Sequence, residues 1–312
     1  MADHEPLKVL LLGGSGQVGM QWRHLLTQNT TPPCVLRSPS RQELDLIHLD
    51  AVRDDALQFR PDLIVNAAAF TAVDRAETEP ELAHALNAAL PTVLAQAAHE
   101  LGAALLHYST DYVFDGTGLQ AHGEDDPVHP LSVYGKTKAL GEAGIREHLT
   151  RYLILRTSWV MGAQGGNFLK TMLRQAAERE SLRVVADQFG VPTPARLLAQ
   201  LGWLAWQHCV RMESSTDLTP PWGLYHVAPR GETTWYDYAR FMLSEALIRG
   251  WCLKAGPSRI TPVPAADYPS LAQRPTNSRL DVSRFEQAFN LVLPPWQDGV
   301  RDTLDELRSV AA

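Results

Sequence analysis

Cysteine is nearly absent from this chain, and what there is builds no framework. Cys34, Cys209 and Cys252 are odd in number, scattered and without CxxC spacing, so neither a disulfide set nor a cysteine zinc site is expected. Such thiols fit a reducing cytoplasm. No apolar stretch nears the ~18 residues needed to span a bilayer. Met1, Ala2, Asp3, His4, Glu5 and Pro6 supply neither the basic nor the apolar region of a secretory leader. These absences set aside membrane insertion and export and predict a cytoplasmic protein. No run of Lys or Arg stands out and the net charge is −7, which argues against a nucleic-acid partner. Internal repeats and low-complexity segments are missing too. At 312 residues the chain can bury a substantial core, and about two domains are expected.

What is present begins with glycine. Lys8, Val9, Leu10, Leu11 and Leu12 form a short apolar run of the kind a buried parallel strand shows. Residues 13–19 read GGSGQVG, and residues 20–28 then read as a helix. The glycines fit GxGxxG from Gly14 and GxxGxxG from Gly13. In either register Gly16 lets the backbone approach a pyrophosphate, and Gly19 lets the helix pack tightly on its strand. The pyrophosphate would sit on the free N–H groups of the helix N-terminus. Strand, glycines and helix in the first thirty residues predict a nucleotide-binding turn.

Downstream stand Tyr134 and Lys138, four residues apart and so on one face of a helix. An ammonium beside a phenol favours the phenolate and is expected to draw the tyrosine below its usual ~10. Alone, YxxxK also describes a surface Tyr–Lys pair. Beside a nucleotide-binding turn it suggests hydride transfer to or from a carbonyl. Ala104 to Tyr108 reads as a strand running into Ser109, Thr110 and Asp111, so the Thr110 and Tyr134 hydroxyls could converge on one carbonyl oxygen. Thr110 and Asp111 could equally start a turn. Asn66 and Ala67 to Ala69 close another strand, where small side chains leave room either for a cofactor or for tight helix–sheet packing.

Strand and helix signals alternate along the chain: strands at 62–66, 104–108, 152–156 and 182–186, helices at 79–101, 133–147, 167–180 and 194–209. The pattern predicts an α/β fold of Rossmann type, a doubly wound parallel sheet. After about Ser214 prolines multiply (Pro220, Pro221, Pro257, Pro262, Pro264, Pro269, Pro275), with helices at 234–249 and 296–310. This region reads as a smaller C-terminal lobe that binds substrate over the carboxyl ends of the strands. The dinucleotide-binding core is expected to span 1–160 with later contributions from about 182–230; 161–181 and 231–312 are expected to form mainly the substrate lobe.

These residues together resemble the extended short-chain dehydrogenase/reductases, and among them the dTDP-4-dehydrorhamnose reductase family. The segments that carry the resemblance are GGSGQVG (13–19), VNAAAFTAVD (65–74), STDYVF (109–114), PLSVYGKTK (130–138), RTSWV (156–160), DQFGVPT (187–193) and RPTNSRL (274–280). The resemblance implies NAD(P)H-dependent reduction of the C4 ketone of dTDP-4-dehydro-β-L-rhamnose. It implies Tyr134 as proton donor, Lys138 on the nicotinamide ribose and Thr110 as donor to the ketone oxygen. Asp111, Trp159, Arg274 and Asn277 fall at the substrate; on its own, Trp159 reads as a core residue. Gly13, Gly16, Gln17, Val18, Asp45, Leu46, Ala69, Phe70 and Thr71 fall at the dinucleotide. The same scaffold also serves reductases of other nucleotide-linked 4-ketosugars and a non-catalytic regulatory subunit.

The chain departs from the family where Phe70 stands for a histidine, Met161 for a tyrosine and Arg196 for a glutamate. That glutamate helps some relatives bind magnesium at a dimer contact, and an arginine cannot ligate a hard cation. No metal is therefore expected, and the chain is expected as a monomer or homodimer. The residues after Cys34, Val35 and Leu36 are Arg37, Ser38, Ser40 and Arg41, with no carboxylate to repel a 2′-phosphate. NADPH is thus expected to be preferred over NADH, chiefly through Arg37, unless Arg37 and Arg41 are solvated loop charges.

Overall fold

The computed structural model describes residues 6–28, 33–215, 218–268 and 270–311. Met1 to Glu5, read above for a leader, and Pro269 lie outside the described residues. The chain begins β1 (Leu7–Leu12), α1 (Gln17–Thr27), β2 (Cys34–Arg37), α2 (Leu49–Phe59) and β3 (Leu63–Asn66). Then come α3 (Val73–Ala76), α4 (Pro80–His84), a π-helical turn (Ala85–Ala89) and α5 (Leu90–Leu101). The helix expected at 79–101 is thus one helical run with a π turn inside it. β4 (Ala104–Thr110), a 3-10 turn (Asp111–Val113), α6 (Val133–His148), β5 (Tyr152–Thr157), β6 (Val160–Met161) and α7 (Phe168–Glu178) follow. The rest comprises β7 (Leu182–Val185), β8 (Phe189–Gly190), β9 (Thr193–Pro194), α8 (Ala195–Glu213), β10 (Gly223–His226), β11 (Thr233–Thr234), α9 (Trp235–Ile248), β12 (Ile260–Val263), α10 (Ser283–Phe289) and α11 (Trp296–Ala311).

Six strands form one parallel sheet in the order β10-β5-β4-β3-β1-β2. β1 shows why both faces must be covered. Val9 and Leu11 point into one apolar cluster with Trp22 of α1 and Leu198 of α8, while Leu10 and Leu12 point into another with Leu94 of α5 and Ile145 of α6. A strand apolar on both faces is stable only between two helical layers. The order reverses between β1 and β3, so their carboxyl ends open a crevice there, where such sheets bind ligands.

A third cluster belongs to the smaller lobe and joins Leu169 and Leu173 of α7, Val184 of β7, Met242 and Leu243 of α9, Ile260 of β12 and Val300 and Leu304 of α11. The strand at 182–186 was expected to return to the core; instead β7 pairs in parallel with β12 inside this lobe. Its outward Arg183 and inward Val184 suit a strand covered on one face only. In the other direction, α10, unforeseen from sequence, sets Phe285 and Phe289 against the main sheet's cluster. Among the described residues no helix is long and apolar enough to cross a membrane.

Candidate active site

The glycine turn makes the first wall of the crevice. Gly13 has φ +78°, and a Cβ there would stand 2.5 Å from the Ala68 nitrogen. A Cβ on Gly19 would stand 2.0 Å from the Gly13 carbonyl oxygen, so α1 can lie against the turn only because Gly19 has no side chain. Gly16 caps α1 without any side-chain hydrogen bond, which leaves the helix's first N–H groups open to an anion. The crevice, about 520 Å³, is lined by Gly13, Gly14, Gly16, Arg41, Asp45, Leu46, Ala67 to Ala69, Phe70, Thr71 and Arg75.

Most residues expected at the dinucleotide stand on this wall, and three do not. Gln17 sends its side chain to the lobe, accepting from Asn167 Nδ2 at 2.9 Å. Val18 packs into the cluster beneath the sheet, so these two offer the crevice only their backbone. Arg37 requires a correction. Its guanidinium donates to both carboxylate oxygens of Asp55 on α2, with Nε at 2.9 and 2.8 Å. This bidentate pair holds the arginine away from the crevice, because a carboxylate fixed one helix away already satisfies its fork. Arg41, more exposed and 3.8 Å from Asp45, lines the crevice instead. The Ser38 hydroxyl is buried with no hydrogen-bond partner, against Gly14 of the turn. Open helix N–H groups, a cradle without Cβ atoms and an orphaned hydroxyl against the glycine turn fit a phosphorylated dinucleotide.

The second wall is the carboxyl end of β4 and the start of α6. Ser132 caps α6, accepting from the Gly135 N–H at 3.1 Å, which places Tyr134 in the first turn. Thr110 ends β4 and caps the 3-10 turn, accepting from the Tyr112 N–H at 3.2 Å. Thr110 lies near enough to Tyr134 to offset part of its raised proton affinity, so the structure brings the two residues together. Thr110 Oγ1 also donates to Asp111 Oδ1 at 3.1 Å. Burial raises the Asp111 carboxyl to about 6, and the Ser278 and Thr110 hydroxyls offset part of that rise.

The expected depression of the Tyr134 phenol is not found. Burial pushes it up from its ordinary value, with Thr110 pulling partly back. Lys138, 1 % exposed, does not reach it: its Nζ lies 2.5 Å from the Tyr108 carbonyl oxygen and 3.0 Å from His107 Nε2. Burial brings the lysine down to about 8, against an opposing pull from Glu142. Glu142 is itself buried and bidentate with Arg156 of β5 at 2.9 and 2.6 Å, and accepts from Ser109 at 2.5 Å.

The substrate residues divide. Arg274 lines a cavity of about 810 Å³ in the lobe with Phe168, Met172, Arg183, Trp235 and Tyr268, and pairs with Asp74 at 2.8 Å. Asp74 borders this cavity and Arg75 the dinucleotide crevice, so the two spaces adjoin across α3. Trp159 stacks on Trp235 at 3.5 Å between ring centroids and holds φ +46°, a conformation costly for a bulky residue and typical of functional positions. Asn277 needs correction. Its Nδ2 donates to the Gln120 carbonyl at 2.7 Å and its Oδ1 accepts from Arg279 Nε at 2.8 Å, so it anchors the 116–120 loop instead of facing a ligand. Among the described residues no group of three or more His, Cys, Asp or Glu could hold a metal ion. Arg196 lines a separate shallow groove with Asp298, Asp302 and Glu306.

Sequence reasoning missed several buried polar residues. Asn87, in the π turn, accepts from the Phe70 N–H at 2.8 Å and donates back to its carbonyl at 3.1 Å, fixing the crevice wall. Its only sequence signal was a polar residue in an alanine-rich helix. His107 was passed over as a strand residue, yet it touches Lys138 on one side and Asn66 on the other.

The sequence matches the RmlD substrate binding domain family over residues 7–309. A dTDP-4-dehydrorhamnose reductase of Shigella flexneri is 44% identical over 306 residues, covering 98% of this chain and 100% of the relative. A solved dTDP-4-dehydrorhamnose reductase of Clostridium acetobutylicum superposes with a TM-score of 0.85 at 31% identity, over 97% of this chain and 100% of its own. That of Bacillus anthracis, solved in complex with NADP, gives 0.84 at 31% identity with the same coverage.

Proposed function

The chain belongs to the RmlD substrate binding domain family, and on that premise we propose that it is an NADPH-dependent oxidoreductase that reduces the C4 ketone of dTDP-4-dehydro-β-L-rhamnose to dTDP-L-rhamnose. The observation that carries this reading is the placement of Tyr134 against Phe70 of the crevice wall, with Thr110 near enough to pull its proton affinity partly down. A donor pair there serves a carbonyl oxygen, and a full-length relative named for this reaction supports the substrate.

When bound, the dinucleotide supplies the hydride. The open N–H groups at the start of α1 hold its pyrophosphate. Ser38 and Arg41 take the 2′-phosphate, a role Arg37 cannot fill while it is paired with Asp55. Phe70, fixed by Asn87, and Ala67 to Ala69 close the wall along the cofactor. Tyr134 keeps its proton at neutral pH because burial disfavours the phenolate, so it holds an acid ready for the developing C4 alkoxide. Thr110 donates to the same oxygen, where negative charge grows. Lys138, a turn behind, supplies positive charge toward the ribose and the phenolate that forms. Trp159 and Asp111 bind the sugar, and the cavity beside Arg274 takes the nucleotide. Cys209 and Cys252, present as thiols, suit a cytoplasmic location.

The test is turnover. With NADPH, the protein is expected to convert dTDP-4-dehydrorhamnose, followed as loss of reduced nicotinamide absorbance, and to neglect a UDP-linked 4-ketohexose. Turnover of the UDP sugar alone would make it a different nucleotide-sugar reductase. Tight NADPH binding with no turnover of either would leave a regulatory role on the same scaffold.

A further inference from the structure

Tyr134 stands in the first turn of α6, so its hydroxyl is only as well placed as that turn. Ser132 caps the turn from the adjoining residue and ties it to no other element. Glu77 does more. It directly follows α3, and its Oε1 accepts from the Val133 N–H, 56 residues further along the chain, at 2.8 Å. Val133 is the first residue of α6 and the neighbour of Tyr134. A carboxylate there also suits the positive end of the helix dipole. Among the described residues no cation pairs with Glu77, and the nearby Arg75 is bidentate with Glu79 instead. A second tie runs through Asn87 of the π turn. Its Nδ2 donates to Thr137 Oγ1 at 3.2 Å, and Thr137 Oγ1 donates to the Tyr134 carbonyl at 2.9 Å. The same amide holds the Phe70 backbone of the crevice wall. α6 lies so close on this turn that a Cβ on Gly141 would stand 2.2 Å from the Asn87 carbonyl oxygen. Val133 and Tyr134 pack against the cluster of Phe70, Ala76 and Ala83, so one segment, residues 70–89, meets both the crevice and the start of α6.

We propose that Glu77 is a positioning residue: with Asn87 it fixes the first turn of α6 to the segment that walls the crevice, so that the Tyr134 hydroxyl and the dinucleotide share one frame. Glu77 touches no reacting atom and acts through the Val133 backbone. The worth of such a bond lies in geometry, because misplacing a reacting group by about 1 Å can cost about a hundredfold in rate. What the arrangement requires of residue 77 is an acceptor at the right reach, so an uncharged acceptor of the same length serves as well. The catalytic role of this tie rests on the reductase reading; the two ties themselves do not.

The experiment compares Glu77→Ala, which removes the acceptor, with Glu77→Gln, which keeps an amide oxygen for the Val133 N–H. Turnover of dTDP-4-dehydrorhamnose with NADPH is followed well below the melting temperature of each protein. In Glu77→Ala, kcat is expected to fall by about ten- to a hundredfold, with KM and NADPH affinity unchanged. In Glu77→Gln, kcat should return to near the wild-type rate, with the pH profile unmoved. An alanine variant with wild-type kcat, or one that loses only KM or NADPH affinity, would overturn the proposal. So would a glutamine variant as slow as the alanine one, since charge would then be the property that matters. Should Glu77→Ala not fold, Thr137→Val cuts the second tie while keeping the side-chain shape, and a wild-type kcat there would overturn the shared frame. A wild type that turns over no ketosugar would remove the reductase reading and this role together, whereas wild-type turnover matched by Glu77→Ala removes this role alone.

Discussion

The two walls of the crevice are made in opposite ways. The glycine-turn wall works by what it omits: without Cβ atoms at Gly13 and Gly19, backbone approaches backbone and helix N–H groups stay open. The β4–α6 wall works by what it buries: Asp111, Lys138, His107, Glu142 and Arg156 are all almost fully removed from solvent. Shape defines the first and electrostatics the second. A substitution on the first wall should therefore act through steric fit and cofactor binding. One on the second should act through proton affinity, reaction rate or the stability of buried charge.

The sharpest way to break this contrast is Tyr134→Phe. The ring and its edge-on contact with Tyr112 remain while the acid is lost. Turnover is expected to fall by about 10²–10⁴-fold, with NADPH binding, measured by fluorescence titration, unchanged. Wild-type turnover would remove Tyr134 from the chemistry.

Glu142→Gln comes next. It leaves Arg156 buried without a counter-charge, and losing one partner of a buried pair typically costs about 3–5 kcal/mol. Chemical denaturation should read that loss; a midpoint shift under about 1 kcal/mol would show that the pair is not load-sensitive. On the opposite wall, Gly19→Ala must push α1 off the turn, since its Cβ would lie 2.0 Å from the Gly13 oxygen. Overpacking of this kind costs about 1–3 kcal/mol, and calorimetric NADPH binding should be lost before turnover of already bound enzyme changes. An alanine variant that binds normally would refute the steric account of that wall.

Two smaller effects sharpen it. Arg41→Ala is expected to lower kcat/KM with NADPH about tenfold relative to NADH, the worth of one exposed charge-assisted contact, while Arg37→Ala should leave the preference unchanged because Asp55 already holds that guanidinium. The reverse pattern would return the 2′-phosphate to Arg37. Asp111→Asn should act through pH. The folded carboxyl sits at about 6, above its unfolded value, so its contribution to stability is full below the unfolded pKa and lost as pH rises through 6. The variant is thus expected to melt several degrees above wild type at pH 8, by up to about 3 kcal/mol, with the gap closing at pH 4. Equal melting at pH 8 would mean that Asp111 is better solvated than its burial implies.

Much of the first wall was legible in the sequence because it is local. Glycine spacing, the apolar run of β1 and the position of α1 all lie within one stretch of chain, and each follows from backbone sterics. Tyr134, Lys138 and Thr110 were also legible as residue types, through helical spacing and strand ends. Their partners were not. Arg37 looked like a phosphate ligand until α2 brought Asp55 to it. Asn277 looked like a substrate contact until the 116–120 loop took up its amide. β7 had the composition of a core strand, yet its pairing with β12 belongs to the lobe.

By itself the sequence determined the α/β alternation, the nucleotide turn and the candidate hydroxyls at Thr110 and Tyr134, because periodicity and backbone conformation depend on near neighbours. Only the tertiary structure decided the protonation of those groups: the phenol held high, Asp111 near 6, and Lys138 turned from Tyr134 toward His107. The physical reason is that proton affinity depends on burial and on which dipoles surround a group. Those dipoles come from β3, β4, β5 and α6, segments that only the folded sheet makes adjacent.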